Sequence, residues 1–235
     1  FSAFVPGRLP WGALPLLAGC LVSGWILLAM DGRKPGALGF YPGLEAARRS
    51  LLGLGLGILV AGSVVVGLVA LGALRWSMEG GTGPGYLEGA AGSLWLLAFP
   101  AAGEEALMRG YLLQALAEVW GGRWALLVTS ILFGFLHLEN PNTTGIGLTN
   151  IVLAGIFLGL VYLRTLSLWW ATGAHLGWNW THGFLADLPV SGLELMDAPL
   201  LEASLRGPPW LSGGSFGPEG SVVTTLVLVA WIGIL

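Results

Sequence analysis

Residues 50–74 read SLLGLGLGILVAGSVVVGLVALGAL, a run of apolar and small residues that carries no charge from Ser50 to Leu74. A helix crossing a hydrocarbon core of about 30 Å needs about 20 such residues, so this stretch alone predicts a membrane span. The same test applied outward finds further runs at Trp11 to Met30, Ser93 to Ala117, Trp124 to Leu138, Leu148 to Leu163 and Leu168 to Leu185, with a shorter one from Ser221 to Leu235. The composition agrees. Of 235 residues 55% are hydrophobic and 10% charged, against roughly a quarter charged in a soluble domain. That excludes a soluble globular protein and a disordered chain, and a net charge of -3 without basic surplus excludes nucleic acid as a partner. The 39 glycines and 13 prolines show no collagen period, and membrane helices accept both residue types readily. Cys20 is the single cysteine, so neither an intramolecular disulfide nor a cysteine zinc cage is available. The expected fold is all-α: residues 1–235 form a single integral membrane domain, a polytopic bundle of about seven to eight helices in the lipid bilayer.

Two segments, 75–92 and 186–220, are rich in Gly and Pro and read as connections rather than domains. Basic residues alternate between connections. Arg33, Lys34, Arg48 and Arg49 lie between the first and second runs, Arg123 follows the third and Arg164 the fifth. The others hold Arg75 with Glu79 and Glu88, then Glu139 with no base, then five acids with one Arg in 186–220. By the positive-inside rule the basic loops face the cytoplasm, and a multi-pass protein of a bacterial or archaeal plasma membrane is expected. The first run, flanked by Arg8 and by Arg33 with Lys34, is long for a signal-peptide core and lacks an Ala-x-Ala site, so it is expected to be retained. The chain opens on Phe1 and its last run stops at residue 235, which leaves room for further helix at either end. No inverted repeat of the transporter kind is visible. Glycines four apart, as in Gly53 with Gly57, Gly155 with Gly159 and Gly173 with Gly177, are expected to let helices approach closely.

Ionisable residues inside apolar runs are costly and mark candidate sites. Run three contains Glu104, Glu105 and Arg109, run four ends in His137, and run six contains His175, Asn179 and His182, so all three histidines fall in these segments. At about 100° per residue Glu105 and Arg109 lie about 40° apart, which suits an ion pair, whereas Glu104 lies about 140° from Arg109. Glu104 is therefore the better general-base candidate. Pro100 is expected to start or kink the helix ahead of the two acids. His175 and Asn179 share a face, with His182 close to it, and Phe133 sets an aromatic ring beside His137. Singly, these are an ion pair, an interfacial histidine and an interhelical hydrogen-bonding pair. Together, a carboxylate, imidazoles, a carboxamide and a clamped arginine can activate water and stabilise an oxyanion.

The ordered stretches Glu104-Glu105-Ala-Leu-Met-Arg109, Phe133-Gly-Phe-Leu-His137 and His175-Leu-Gly-Trp-Asn179 resemble the EExxxR, FxxxH and HxxxN motifs of the CAAX-prenyl-protease and bacteriocin-processing family, also called Abi or CPBP. The likeness spans residues 93–185, the catalytic core, and implies intramembrane endopeptidases with a water-accessible catalytic cavity inside the bilayer. It implies that Glu104 and His137 activate water and that His175 and Asn179 form the oxyanion hole. Glu105 and Arg109 take supporting or substrate-contacting roles; Phe133 and His182 are left as supporting groups. The implied partner is a peptide or protein substrate, prenylated or not. The family has also been classed as metalloproteases, but this chain has no His-Glu-x-x-His and the i+4 partner of His175 is an asparagine. A metal-free glutamate mechanism without cofactor is favoured over a zinc-dependent one. Two other classes compete: a proton-coupled carrier, against which several runs have apolar interiors, and a non-catalytic membrane scaffold or immunity protein.

Overall fold

The computed structural model describes residues 9–235; Arg8, expected to flank the first run, lies outside them. The chain is mostly helical: α1 (Leu9–Met30), α2 (Leu44–Ala70), α3 (Gly83–Arg109), α4 (Tyr111–Trp120), α5 (Gly122–Phe135), α6 (Gly145–Thr165), α7 (Leu168–Trp180), α8 (Pro209–Ser212) and α9 (Val222–Ile234). Three helices are long and apolar enough to cross a membrane, α1 over Gly12–Met30, α2 and α6, while α5 and α9 are shorter apolar helices. Large apolar side chains such as Val22, Ile26, Leu59, Val66 and Leu226 are exposed on their outer faces. Such faces suit lipid rather than water, as in an integral membrane protein.

The expected all-helical pattern is corrected at one end. Strands β1 (Leu74–Met78) and β2 (Leu201–Leu205) form an antiparallel pair with Leu74 opposite Leu205, so both turn-rich segments contain a strand. An open two-stranded sheet has unpaired edges, which the hydrocarbon region does not accept, and this one stands at a bundle end. The connection expected over 75–92 is also shorter than read. Thr82 caps α3 by accepting from Gly85 N at 3.2 Å, and Pro84 sits in the first turn where its missing N–H costs nothing.

Pro100 does not start a helix. It lies inside α3, so the two acids stand near that helix's C-terminal end. Run three in turn is two helices, because Gly110, at φ -70° and ψ -124°, breaks it between Arg109 and Tyr111; a Cβ there would meet Ala106 O at 2.2 Å.

The most extensive helix pair is α2 with α7. A Cβ on Gly57 would meet Ala174 O at 2.0 Å, and one on Gly177 would meet Leu54 O at 2.3 Å, so the two small-residue pairs interlock with the helices parallel. The third pair packs α6 on α5, with Gly155 against Ser130 and Gly159 against Leu126. A core of Val60, Val64 and Leu68 from α2, Phe157 and Val161 from α6, Trp178 from α7 and Leu228 from α9 joins these helices.

Hydrogen bonds between connections define two ends of the bundle. At one, Arg33 bonds Glu118 at 3.1 Å and Gln114 at 2.7 Å, Tyr111 OH donates to Asp31 and Leu168 N donates to Gly39 O. At the other, alongside β1 and β2, Trp76 Nε1 donates to Ala186 O and Asn140 Nδ2 donates to Ser191 O.

Candidate active site

The last two turns of α3, the turn after α5 and the middle of α7 bring Glu104, His137 and His175 together. Glu104 Oε2 lies 4.0 Å from His137 Nε2 and 3.9 Å from His175 Nε2. They face a cavity of about 80 Å³ that Asn179 also lines, together with apolar side chains such as Leu97, Ile151 and Leu158.

The tautomers follow from the partners. His137 Nδ1 lies 2.7 Å from Phe133 O, a carbonyl that only accepts, so Nδ1 carries the proton and Nε2 is turned towards Glu104. His175 Nδ1 donates to Glu105 Oε1 at 2.9 Å, which likewise turns its Nε2 towards Glu104. The same Glu105 oxygen accepts from Arg109 Nη1 at 2.9 Å, and Arg109 Nη2 donates to Gly155 O at 2.9 Å. The guanidinium stands 4.8 Å from the centre of the Phe133 ring, which in turn packs on His137.

The expected ion pair is thus present in the structure, and it is sealed. Glu105 and Arg109 are 0% and 1% exposed and do not line the cavity. This geometry suits support of His175 and not contact with a substrate. His182 is fully buried and also outside the cavity lining; it packs on the Trp178 ring at 4.7 Å, so its link to the site runs through that tryptophan.

The sequence reading missed the wall contributed by the long segment before α9. Glu219, buried at 6% exposure, accepts from Trp178 Nε1 through Oε1 and from Ser191 N and Ser191 Oγ through Oε2, each at 2.6 Å. Asn150 in α6 donates to Glu219 O at 2.7 Å and Ser221 O at 2.8 Å. Both Glu219 and Ser191 line the cavity. Glu219 lies outside every apolar run and gave no spacing signal; its partners are 41 and 28 residues away in the chain.

Tetrahedral zinc with ligands at 2.0–2.1 Å sets its donor atoms about 3.3 Å apart. The gaps at Glu104 are wider. Among the described residues the group of three ligand atoms lying within 4.8 Å of one another is Glu79, Asp197 and Glu202, at the end that bears β1 and β2. As arranged, Glu104, His137 and His175 do not fit a zinc ion.

Residues 87–181 match the family described as type II CAAX prenyl endopeptidase, Rce1-like, the same family that the three motifs resemble. Comparisons with curated proteins and with solved structures give no match.

Proposed function

We propose, from that Rce1-like match and the site within it, that the chain is an intramembrane endopeptidase of the CAAX type. One observation carries the reading: a single carboxylate oxygen, Glu104 Oε2, approaches two imidazoles at 3.9 and 4.0 Å in a largely apolar cavity. Polar groups at such separations are bridged by one water.

A water held there donates one hydrogen bond to His137 Nε2, whose tautomer is set by Phe133 O, and gives its other proton to Glu104 as base. The resulting hydroxide adds to the carbonyl carbon of the scissile peptide. Asn179 Nδ2 and His175 Nε2, when protonated, donate to the developing oxyanion; Glu105 and Arg109 keep the imidazole oriented. As the tetrahedral intermediate collapses, the C–N bond breaks and the proton held by Glu104 passes to the leaving amine. The net reaction is peptide plus water giving acid plus amine, without a metal.

The substrate is a membrane-associated peptide. A second cleft, between α1, α2, α3 and α7, is lined by Leu17, Trp25, Leu54 and Trp95 and is large enough for an acyl or isoprenoid chain, so prenylated and unprenylated peptides both belong in the test. Detergent-purified protein is expected to cut members of such a library, with or without a chelator. Glu104→Gln, which keeps the shape but not the base, is expected to lower kcat by about 10²–10⁴-fold at an unchanged thermal midpoint. Full activity in that variant, or loss of activity on chelation, refutes the mechanism.

A further inference from the structure

Helices α3 and α7 each present two faces to two different cavities. On α3 the catalytic cavity is lined by Leu97, Pro100 and Glu104, and the second cleft by Leu94, Ala98 and Ala102. On α7 the division repeats, with His175 and Asn179 on one face and Trp169, Thr172 and Leu176 on the other. No residue lines both. A chain attached to a peptide held at Glu104 would have to pass between α3 and α7, which pack on each other. That position separates the occupant of the cleft from a substrate at Glu104.

The cleft, about 790 Å³, is the seam between two helix pairs, α1 with α3 and α2 with α7. Its walls are almost wholly apolar, and Trp25, Leu51 and Trp95 among them are exposed at the outside of the bundle, where an integral membrane protein meets lipid. Along α3 it runs from Ala91 to Ala102, about 16 Å at about 1.5 Å per residue. That is about half of a hydrocarbon core of about 30 Å, the depth of one leaflet. Apolar walls of that length suit one acyl chain better than water.

One end of the cleft is lined by Phe40, Ser50 and Trp169. Trp169 Nε1 donates to Tyr41 O at 2.8 Å, and its ring packs edge-on to Phe40 at 4.6 Å, an aromatic collar of the kind found at head-group level. Arg49 and Arg48 directly precede Ser50, and the exposed Arg48 stands one turn before the cleft residue Leu51 on the same side of α2. Glu45 serves both arginines, accepting from Arg48 Nη1 at 3.2 Å and from Arg49 Nε at 2.9 Å, so the three groups keep one positive charge between them. Lys34, in the connection from α1 to α2, adds a second charge and enters no ion pair among the described residues.

We propose that this cleft binds an anionic phospholipid, with one acyl chain in the seam between the helix pairs and the phosphate held by Lys34 and Arg48. Basic groups beside a gap between membrane helices hold such head groups, and a zwitterionic lipid with the same chains lacks the net charge for it. The bound chain supports the face of α7 opposite His175 and takes no part in the reaction.

The full chain, stripped of lipid in detergent, is titrated with phosphatidylglycerol and with phosphatidylcholine of identical acyl chains. Retained lipid is counted by native mass spectrometry, and the thermal midpoint is measured on the same samples. One phosphatidylglycerol per chain is expected to survive conditions that remove phosphatidylcholine, and to raise the midpoint more. Lys34→Gln combined with Arg48→Gln, which leaves the apolar walls intact, is expected to weaken phosphatidylglycerol binding roughly tenfold and to leave phosphatidylcholine unchanged. Ala98→Phe, which fills the cleft from α3, is expected to abolish retention; should it fail to fold, the charge variant decides alone. Equal retention of the two lipids, or a charge variant that binds as the parent does, overturns the proposal. Displacement of the bound lipid by a prenylated peptide assigns the cleft to the substrate and overturns it too, as does a dimer that holds no lipid. Binding is read without cleavage, so a failure of the proteolytic reading leaves this test unaffected.

Discussion

His175 owes its placement to two residues that never meet the cavity. Glu105 Oε1 accepts from both Arg109 and the imidazole, so one carboxylate neutralises a buried cation and sets a tautomer at once. Breaking a buried pair from one side leaves an uncompensated charge, at about 3–5 kcal/mol. Arg109→Met is therefore expected to lower the thermal midpoint strongly. Combining it with Glu105→Gln should recover part of that loss, because no lone charge remains, while cleavage stays impaired for want of a charged acceptor at His175. Thermal unfolding in detergent and peptide cleavage, measured on the same preparations, check both statements; a double variant less stable than Arg109→Met refutes the ion-pair account.

At the scale of elements, α7 carries His175 and Asn179 and takes its position from α2. The two helices touch backbone to backbone at Gly53 with Gly173 and at Gly57 with Gly177, and no side chain larger than hydrogen fits there. Gly177→Val is expected to push the helices apart, displacing the histidine by enough to abolish cleavage and lowering stability by about 1–3 kcal/mol through overpacking. Gly55→Ala makes the control: a Cβ there meets nothing within 4 Å, and the exchange removes backbone freedom from a helix interior, so stability should hold or rise slightly. Equal behaviour of the two variants in thermal unfolding would contradict the interlock.

In the whole molecule, Glu219 ties together parts that the chain keeps far apart: Trp178 on α7, Ser191 in the long connection and, through its carbonyl, Asn150 on α6. Glu219→Ala strands the Trp178 and Ser191 donors, each at about 1–3 kcal/mol where no water replaces the carboxylate. The variant is expected to expose the segment 186–220 to limited proteolysis under conditions where the parent resists, and to raise KM more than it lowers kcat. Cleavage kinetics unchanged from the parent would show that the tie does not shape the site.

Much was legible from local pattern. Lipid demands about 20 apolar residues per crossing whatever the neighbours, so the runs of α1, α2 and α6 could be found one at a time. Helical spacing likewise brings Glu105 to Arg109 without reference to the rest of the chain. Backbone breaks were less legible: Gly110 ends α3 through a backbone conformation, while Pro100, the stronger local signal, leaves it unbroken because one lost hydrogen bond is tolerated inside a packed helix. The β1–β2 pairing and the Glu219 tie carried no signal, since both join residues from separate connections. The sequence by itself determined which segments are long and apolar enough to cross a membrane and which ionisable residues the apolar runs carry. Only the tertiary structure decided that Glu104 approaches His137 and His175, that Arg109 is sealed away, and that Glu219 joins α7 to the long connection, because these depend on helices being packed at fixed depth and rotation, and no local period encodes that.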